Sequence, residues 1–439
     1  MKASVGPCIM AISLLTALAI PARTAAQVPK DMQYRYIVVD VGTFGGPNSG
    51  TVNDAKMLNN QGMLVGGADT ALLDTTSPKQ NPQFPDIPDP FIQHAFLQRH
   101  GVLTDLGALP GTNSSYAYWV NARGDALGLS TNGVVDPLKG YPETAGILWK
   151  DGRIINLGTL GGYENSPNAM NNRDQITGIA SNAIPDPYSL ANWGTQTRGY
   201  LWQDGVIHDI GTLGGPDAQA WYINERGQIA GWSYTNLTPN PVTKVPTVDP
   251  FLWQNGHMQD LGTLGGTNSI VNSLTDGGMV VGQSNLAGDL TYHPFLWDGR
   301  ALKDLGTFGG KNGLANWVNE AGDVVGNADI SGSKAHHAFL WRKGVLIDLG
   351  TVAGSPCSTG YGINARDQVV GDAGKCGVGG TGWLWDHGSI YDLNTLVAPS
   401  PSGLHLGGAV YINNRGEIKC EGFLPNGKMH AVLLIPSRH

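Results

Sequence analysis

One segment recurs along the whole chain and limits what it can fold into. A D-L-G-T-L-G-G-like stretch begins at Asp40, Asp105, Asn156, Asp209, Asp260, Asp304, Asp348 and Asp392, at intervals of 65, 51, 53, 51, 44, 44 and 44 residues. Each copy is followed by an I-N-x-x-G-x-I-x-G-like segment, clearest at 223–231, 318–326 and 363–371. An aromatic-Leu-Trp segment comes next, as in Phe251-Leu252-Trp253, Phe295-Leu296-Trp297 and Phe339-Leu340-Trp341. A fixed period of this length means that one supersecondary unit is copied and stacked, because a single unit cannot bury its own apolar faces.

The spacing inside the repeat gives its local structure. From the middle Leu of the third segment to the next Asp (Asn156 in one copy) is eight residues in all seven instances. A constant short distance across a Gly-containing turn such as Asp204-Gly205 predicts a tight β-hairpin. The N-x-x-G segment predicts a second hairpin, with Asn and Gly supplying the left-handed turn conformations. Each repeat therefore holds four short strands, the content of a propeller blade. The strands are apolar at consecutive positions, as strands buried on both faces are. The first Asp segment has no upstream aromatic partner and the last apolar strand, 431–435, has no downstream one. Their pairing predicts closure of a ring. The expected fold is all-β: a β-propeller of eight four-stranded blades, with seven blades or an open β-repeat stack as the alternatives.

Residues 1–26 read as a secretory signal, with Lys2 ahead of an apolar run at 9–20 and small residues at Thr24 and Ala26. The expected organisation is thus signal 1–26 and one domain over 27–439, secreted and located outside the cell or in the periplasm. The net charge of −8 and the lack of Lys/Arg clusters argue against a nucleic-acid partner. No second long apolar run predicts a membrane span, and the mature chain is expected to be monomeric. Export permits a disulfide. Cys357 and Cys376 flank the second hairpin of the seventh repeat and fall opposite one another in its register, which predicts that they are bridged. Cys420 occupies a repeat glycine position and is expected to stay a buried free thiol.

The DLGTLGG, IN-x-x-G-x-I-x-G and His-Ala-Phe-Leu-Trp segments resemble the HAF-type extracellular repeat family, over nearly all of residues 36–435. His94-Ala95-Phe96 and His337-Ala338-Phe339 match its signature directly. The resemblance implies an exported repeat protein and no particular reaction.

The repeated Asp and Asn are expected to be turn formers, the repeated Trp to pack between blades, and the histidines not to bind metal. Nucleophile-elbow, zinc-protease and phosphate-loop motifs are absent, so no catalytic residue and no cofactor is assigned, calcium being the one ion kept in view. The irregular feature is the stretch from the second-hairpin Gly to the aromatic strand. It runs 30, 19, 22 and 20 residues in the first four repeats and 13, 13, 12 and 12 in the others. Insertions on one face of a repeat protein often build its binding surface. These four stretches carry Asp89, Asp136, Asp186 and Asp249, each before a proline, with Tyr141, Tyr188, Trp193 and Tyr234, and predict an acidic, aromatic-rimmed patch. The function expected is a binding or interaction module for an extracellular glycan, peptide or surface component. A propeller polysaccharide hydrolase or lyase and a structural envelope or matrix component are the alternatives.

Overall fold

A computed structural model describes residues 35–51, 56–75, 90–111, 114–138, 140, 142–332 and 334–437. The signal stretch, Asp89 and Tyr141 lie outside them. Among the described residues thirty-two strands form antiparallel four-stranded units in chain order, with one 3-10 turn at Leu393–Thr395. The fold is an all-β propeller, and among the described residues no helix is long and apolar enough to cross a membrane. The first unit is Gly45–Gly50, Leu64–Leu73, Phe91–Arg99 and Val102–Gly107. The next six follow over 115–156, 165–209, 218–260, 265–304, 309–350 and 357–392. The fourth and fifth share a sheet path through a single parallel bridge between Val248 and Asn268.

The last unit joins the two ends of the chain. Strands His405–Ile412, Ile418–Phe423 and Met429–Pro436 are completed by Tyr36–Asp40, which pairs antiparallel to the last of them from Tyr36↔Pro436 to Asp40↔Val432. The Asp segment of each sequence repeat is therefore the fourth strand of the preceding unit. Pairing the two otherwise orphaned strands gives each a hydrogen-bonded partner and completes the eighth four-stranded unit.

The Asp of each DLG ends the fourth strand and accepts the amide of the glycine two residues on, as in Gly42 N–H to Asp40 (2.9 Å) and Gly306 N–H to Asp304 (2.7 Å). In four units its other partner is the histidine of the third strand, eleven residues earlier in three of them. His94–Asp105, His293–Asp304 and His337–Asp348 each close at 2.9 Å, and His430–Asp40 at 2.8 Å makes the same bond across the chain ends. Burial works to raise the Asp40 and Asp105 carboxyls, but the hydrogen bonds from His and Gly hold both below the usual range. The strand tryptophans Trp149, Trp202 and Trp297 are buried in the apolar core. Cys357 and Cys376 form a disulfide with a Cα–Cα distance of 5.1 Å, and Cys420 is a buried free thiol.

The Asn of the N-x-x-G turn has two jobs. Its side-chain oxygen accepts amides of its own turn, as in Arg226 N–H and Gln228 N–H to Asn224 (3.0 and 2.9 Å). Its side-chain nitrogen donates to the backbone of the next unit: Asn59 to Asn121 O (2.7 Å), Asn171 to Asn224 O (3.0 Å), Asn224 to Thr275 O (3.0 Å) and Asn364 to Asn413 O (3.1 Å). Asn413 donates to Asn59 O at 2.8 Å, the same contact made between the last unit and the first, where the ring closes.

Candidate ligand channel

The first strands of the second to eighth units line a central channel. In seven units this strand has a one-residue register break at a corresponding place, as between Ala220 and Tyr222 or Gly360 and Gly362. The extra residues are Tyr118, Asn168, Trp221, Asn272, Asn316, Tyr361 and Val410. A bulge re-aims the side chain it carries and unpairs part of the ladder. Several of these side chains reach the neighbouring unit's backbone: Asn168 donates to Ala220 O (2.9 Å), Asn272 to Ala315 O (2.8 Å) and Asn316 to Gly360 O (2.8 Å). The Tyr118 hydroxyl donates to Pro167 O.

Aromatic rings concentrate on the channel wall. Trp221 stacks on Trp232 with ring centres 5.3 Å apart and planes 15° from parallel. Trp317 meets Tyr411 edge-on at 5.5 Å. These four rings, with Tyr222 and Tyr361, border a constriction of about 220 Å³ whose other lining residues include Asn272 and Asn316. The channel widens toward the N-x-x-G turns to about 580 Å³. Its rim there carries Glu225, Asp276 and Glu320, each accepting an amide of the preceding unit: Asn172 N–H to Glu225 (3.2 Å), Glu225 N–H to Asp276 (2.9 Å) and Asp276 N–H to Glu320 (2.8 Å). Lys56 and Asp367 also line this mouth.

At the opposite face a cleft of about 430 Å³ opens between the seventh and eighth units. It shares Tyr361 and Val410 with the constriction and is lined by Asp372, Glu421 and His405. Burial, with Glu421 adding to it, pushes the Asp372 carboxyl up to about 6, and burial raises Glu421 as well.

The residues expected to make an acidic, aromatic patch are placed differently. Asp136 and Asp186 each open a loop after the second strand and are buried, accepting the amides of Leu138 (2.6 Å) and Tyr188 (2.7 Å). Asp249 is not in an equivalent loop: it lies within strand Val248–Gln254, opposite Ser233. There it takes the position that His or Arg holds in five other units, eleven residues before Asp260. Burial first, then the Asp260 charge, raises its carboxyl to about 6. Tyr234 is buried and donates to Tyr188 O (2.9 Å), whereas Tyr188 is exposed and Trp193 half-buried. The reason is that much of the added length continues the sheet. The second strands of the first three units run ten residues, and Leu73↔Phe91, Val135↔Pro142 and Pro185↔Thr195 pair beyond the others' ends. Their tips expose Leu72, Leu73, Val134, Val135 and Ile184 rather than carboxylates. The channel aromatics were missed because a bulge breaks the alternation that assigns faces; the sequence sign was Tyr, Trp or Asn at the bulge point of six first strands.

No protein-family model matches the chain, and no curated protein matches it. Among solved structures the chain is similar to the β-propeller domain of the trilobed protease from Pyrococcus furiosus, at 8% identity over 79% of this chain and 96% of that one, with a TM-score of 0.41. It is also similar to a gluconolactonase from Xanthomonas campestris, at 10% identity over 72% and 90%, with a TM-score of 0.28.

Proposed function

We propose that this is an exported binding module of HAF-type repeats that takes a polyhydroxylated, carbohydrate-like ligand in its central channel. The observation that carries this reading is the channel wall: a stacked Trp221–Trp232 pair facing a constriction shared with Trp317, Tyr411, Asn272 and Asn316. Flat aromatic faces pack against the C–H faces of sugar rings, while a small number of placed amides and hydroxyls set orientation. The test is a glycan array followed by calorimetry on the mature protein. Trp221→Ala combined with Trp232→Ala is expected to weaken the best binder at least tenfold, with the melting temperature little changed. Equal binding by that variant and the native chain would place the site elsewhere, first of all on the exposed loop tips.

A second reading, a polysaccharide hydrolase or lyase, is favoured by the cleft that places Asp372 and Glu421 together near Tyr361. Paired carboxyls with raised values suit general acid and base work. Turnover of the array's best ligand, lost in Asp372→Asn and Glu421→Gln while binding is kept, would decide for the enzyme.

A further inference from the structure

Two neighbouring seams on the loop-bearing face repeat one arrangement. A residue at or near the start of a unit's first strand reaches back and accepts an amide from the third strand of the preceding unit. In three units this residue is neutral. Ser114 accepts from Gln93 N–H, Asn312 from Tyr292 N–H and Asn48 from Met429 N–H, all at 3.2 Å. In two units it is a carboxyl. Glu164 accepts from Thr144 N–H (3.0 Å) and from the Thr144 hydroxyl. Asp217 accepts from Thr197 N–H (3.1 Å) and Leu190 N–H (2.7 Å). A hydroxyl or amide suffices for the staple, so the carboxyl adds something the fold does not need.

What it adds is a second carboxyl facing it. Asp186 faces Asp217, and Asp136 and Glu143 lie beside Glu164. Asp186, Asp217 and Glu164 are more than nine-tenths buried, and Asp186 Oδ2 and Glu164 Oε1 have no hydrogen-bond partner. Among the described residues no Lys, Arg or His forms an ion pair with Asp186, Asp217 or Glu164. Two ionised carboxylates buried together repel, and the least costly relief is one proton held between them.

We propose that the Asp217 carboxyl, facing Asp186, acts as a pH-sensitive latch across the seam between the third and fourth units, closed while Asp217 holds a proton and weakened once it ionises. The latch ties down residues 186–197. Asp186 caps this segment at Tyr188 N–H (2.7 Å), and its own amide donates to Gly194 O (3.0 Å). The segment also holds Leu190 and Thr197, whose amides reach Asp217. From the second strand of the fourth unit, Tyr234 adds a neutral hydroxyl donating to Tyr188 O; burial first, then the two carboxyls, push its ionisation up. Ser189 and Thr197 hydroxyls pair at 3.1 Å. Burial, with the Asp186 charge, pushes Asp217 up to about 7 against the pull of the Leu190 and Thr197 amides. A carboxyl raised in the folded state gives a contribution that is whole below its unfolded value of 3.8, declines above it, and is gone past about 7. Glu164 is raised for the same first reason, burial, so the adjacent seam shares the trend.

The test is hydrogen-exchange mass spectrometry of the peptide spanning 186–198 in the full chain at pH 5.5 and pH 8.0, corrected for intrinsic exchange. In the native chain protection is expected to fall about thirtyfold between the two, a factor of ten for each of the roughly 1.5 pH units that separate pH 5.5 from the transition near 7. Asp186→Asn removes the repulsion and keeps both staples, so the fall should shrink, burial of Asp217 alone being left to drive it. Asp217→Ser copies the neutral staple of Ser114 and should be flat, which keeps the test open should either variant fold poorly. A flat native profile, or an undiminished fall in Asp186→Asn, would overturn the proposal. So would restored protection at pH 8.0 on adding calcium chloride, which would mean that the pair holds a cation and not a proton.

Discussion

Replacing Asn413 by alanine tests whether closure of the ring rests on side-chain hydrogen bonds. Asn413 is buried where the last unit meets the first. Its nitrogen donates to Asn59 O at 2.8 Å and to the Glu417 carboxylate at 2.6 Å, and its oxygen accepts the amides of Arg415 and Glu417, both at 3.0 Å. Alanine leaves the Glu417 amide and the Asn59 carbonyl without these partners inside the protein, and each such loss costs about 1–3 kcal/mol. The Glu417 carboxylate loses a donor as well but keeps Arg415 at 3.1 Å. Together the expected loss is about 4 kcal/mol, a large part of the about 5–15 kcal/mol that holds a typical domain together. Denaturant unfolding followed by tryptophan fluorescence measures it. Asn426→Ala is the control, an exposed turn asparagine that accepts only the Lys428 amide (3.1 Å). A loss below about 1 kcal/mol, no larger than that of the control, would refute the reasoning and assign the asparagine ladder to turn formation alone.

Gly231 faces the bulge at Trp221, and a Cβ there would sit 1.9 Å from Gln219 O. Gly231→Ala is therefore expected to cost about 3 kcal/mol or to displace the bulge, read as a lower denaturation midpoint together with weakened channel binding. Reducing the Cys357–Cys376 bridge, which spans 19 residues, should cost about 3 kcal/mol without loss of fold, checked by melting with and without reductant. Deleting 429–439 removes the strand paired with Tyr36–Asp40; aggregation or a large fall in melting temperature is expected, and a melt like that of the full chain would contradict ring closure.

The sequence alone carried whatever depends on neighbours a few residues apart. The eight-residue spacing from aromatic strand to Asp fixed one hairpin, and Asn and Gly at turn positions fixed the other. Together with the two orphan strands at the chain ends they gave the four-stranded unit and its closure. The Cys357–Cys376 bridge could be read in the same way, because a hairpin register relates residue numbers directly to distance. The other half of each conserved turn could not be read. That Asn224 also holds Thr275, or that Asn413 holds Asn59 across 354 residues, depends on how one unit stacks on the next. The Asp-Pro pairs looked equivalent in sequence and are not, since Asp186 starts a loop while Asp249 sits in a strand, and only strand pairing tells the two apart. Stacking also decided which side chains face the channel. A one-residue bulge turns Trp221 and Tyr361 out of the alternating pattern, and the first strands of several units must surround one axis before those rings share a cavity. Local spacing specifies hydrogen bonds along and between adjacent strands; burial, charge pairing and the channel arise from contacts between units about fifty residues apart, which no local pattern encodes.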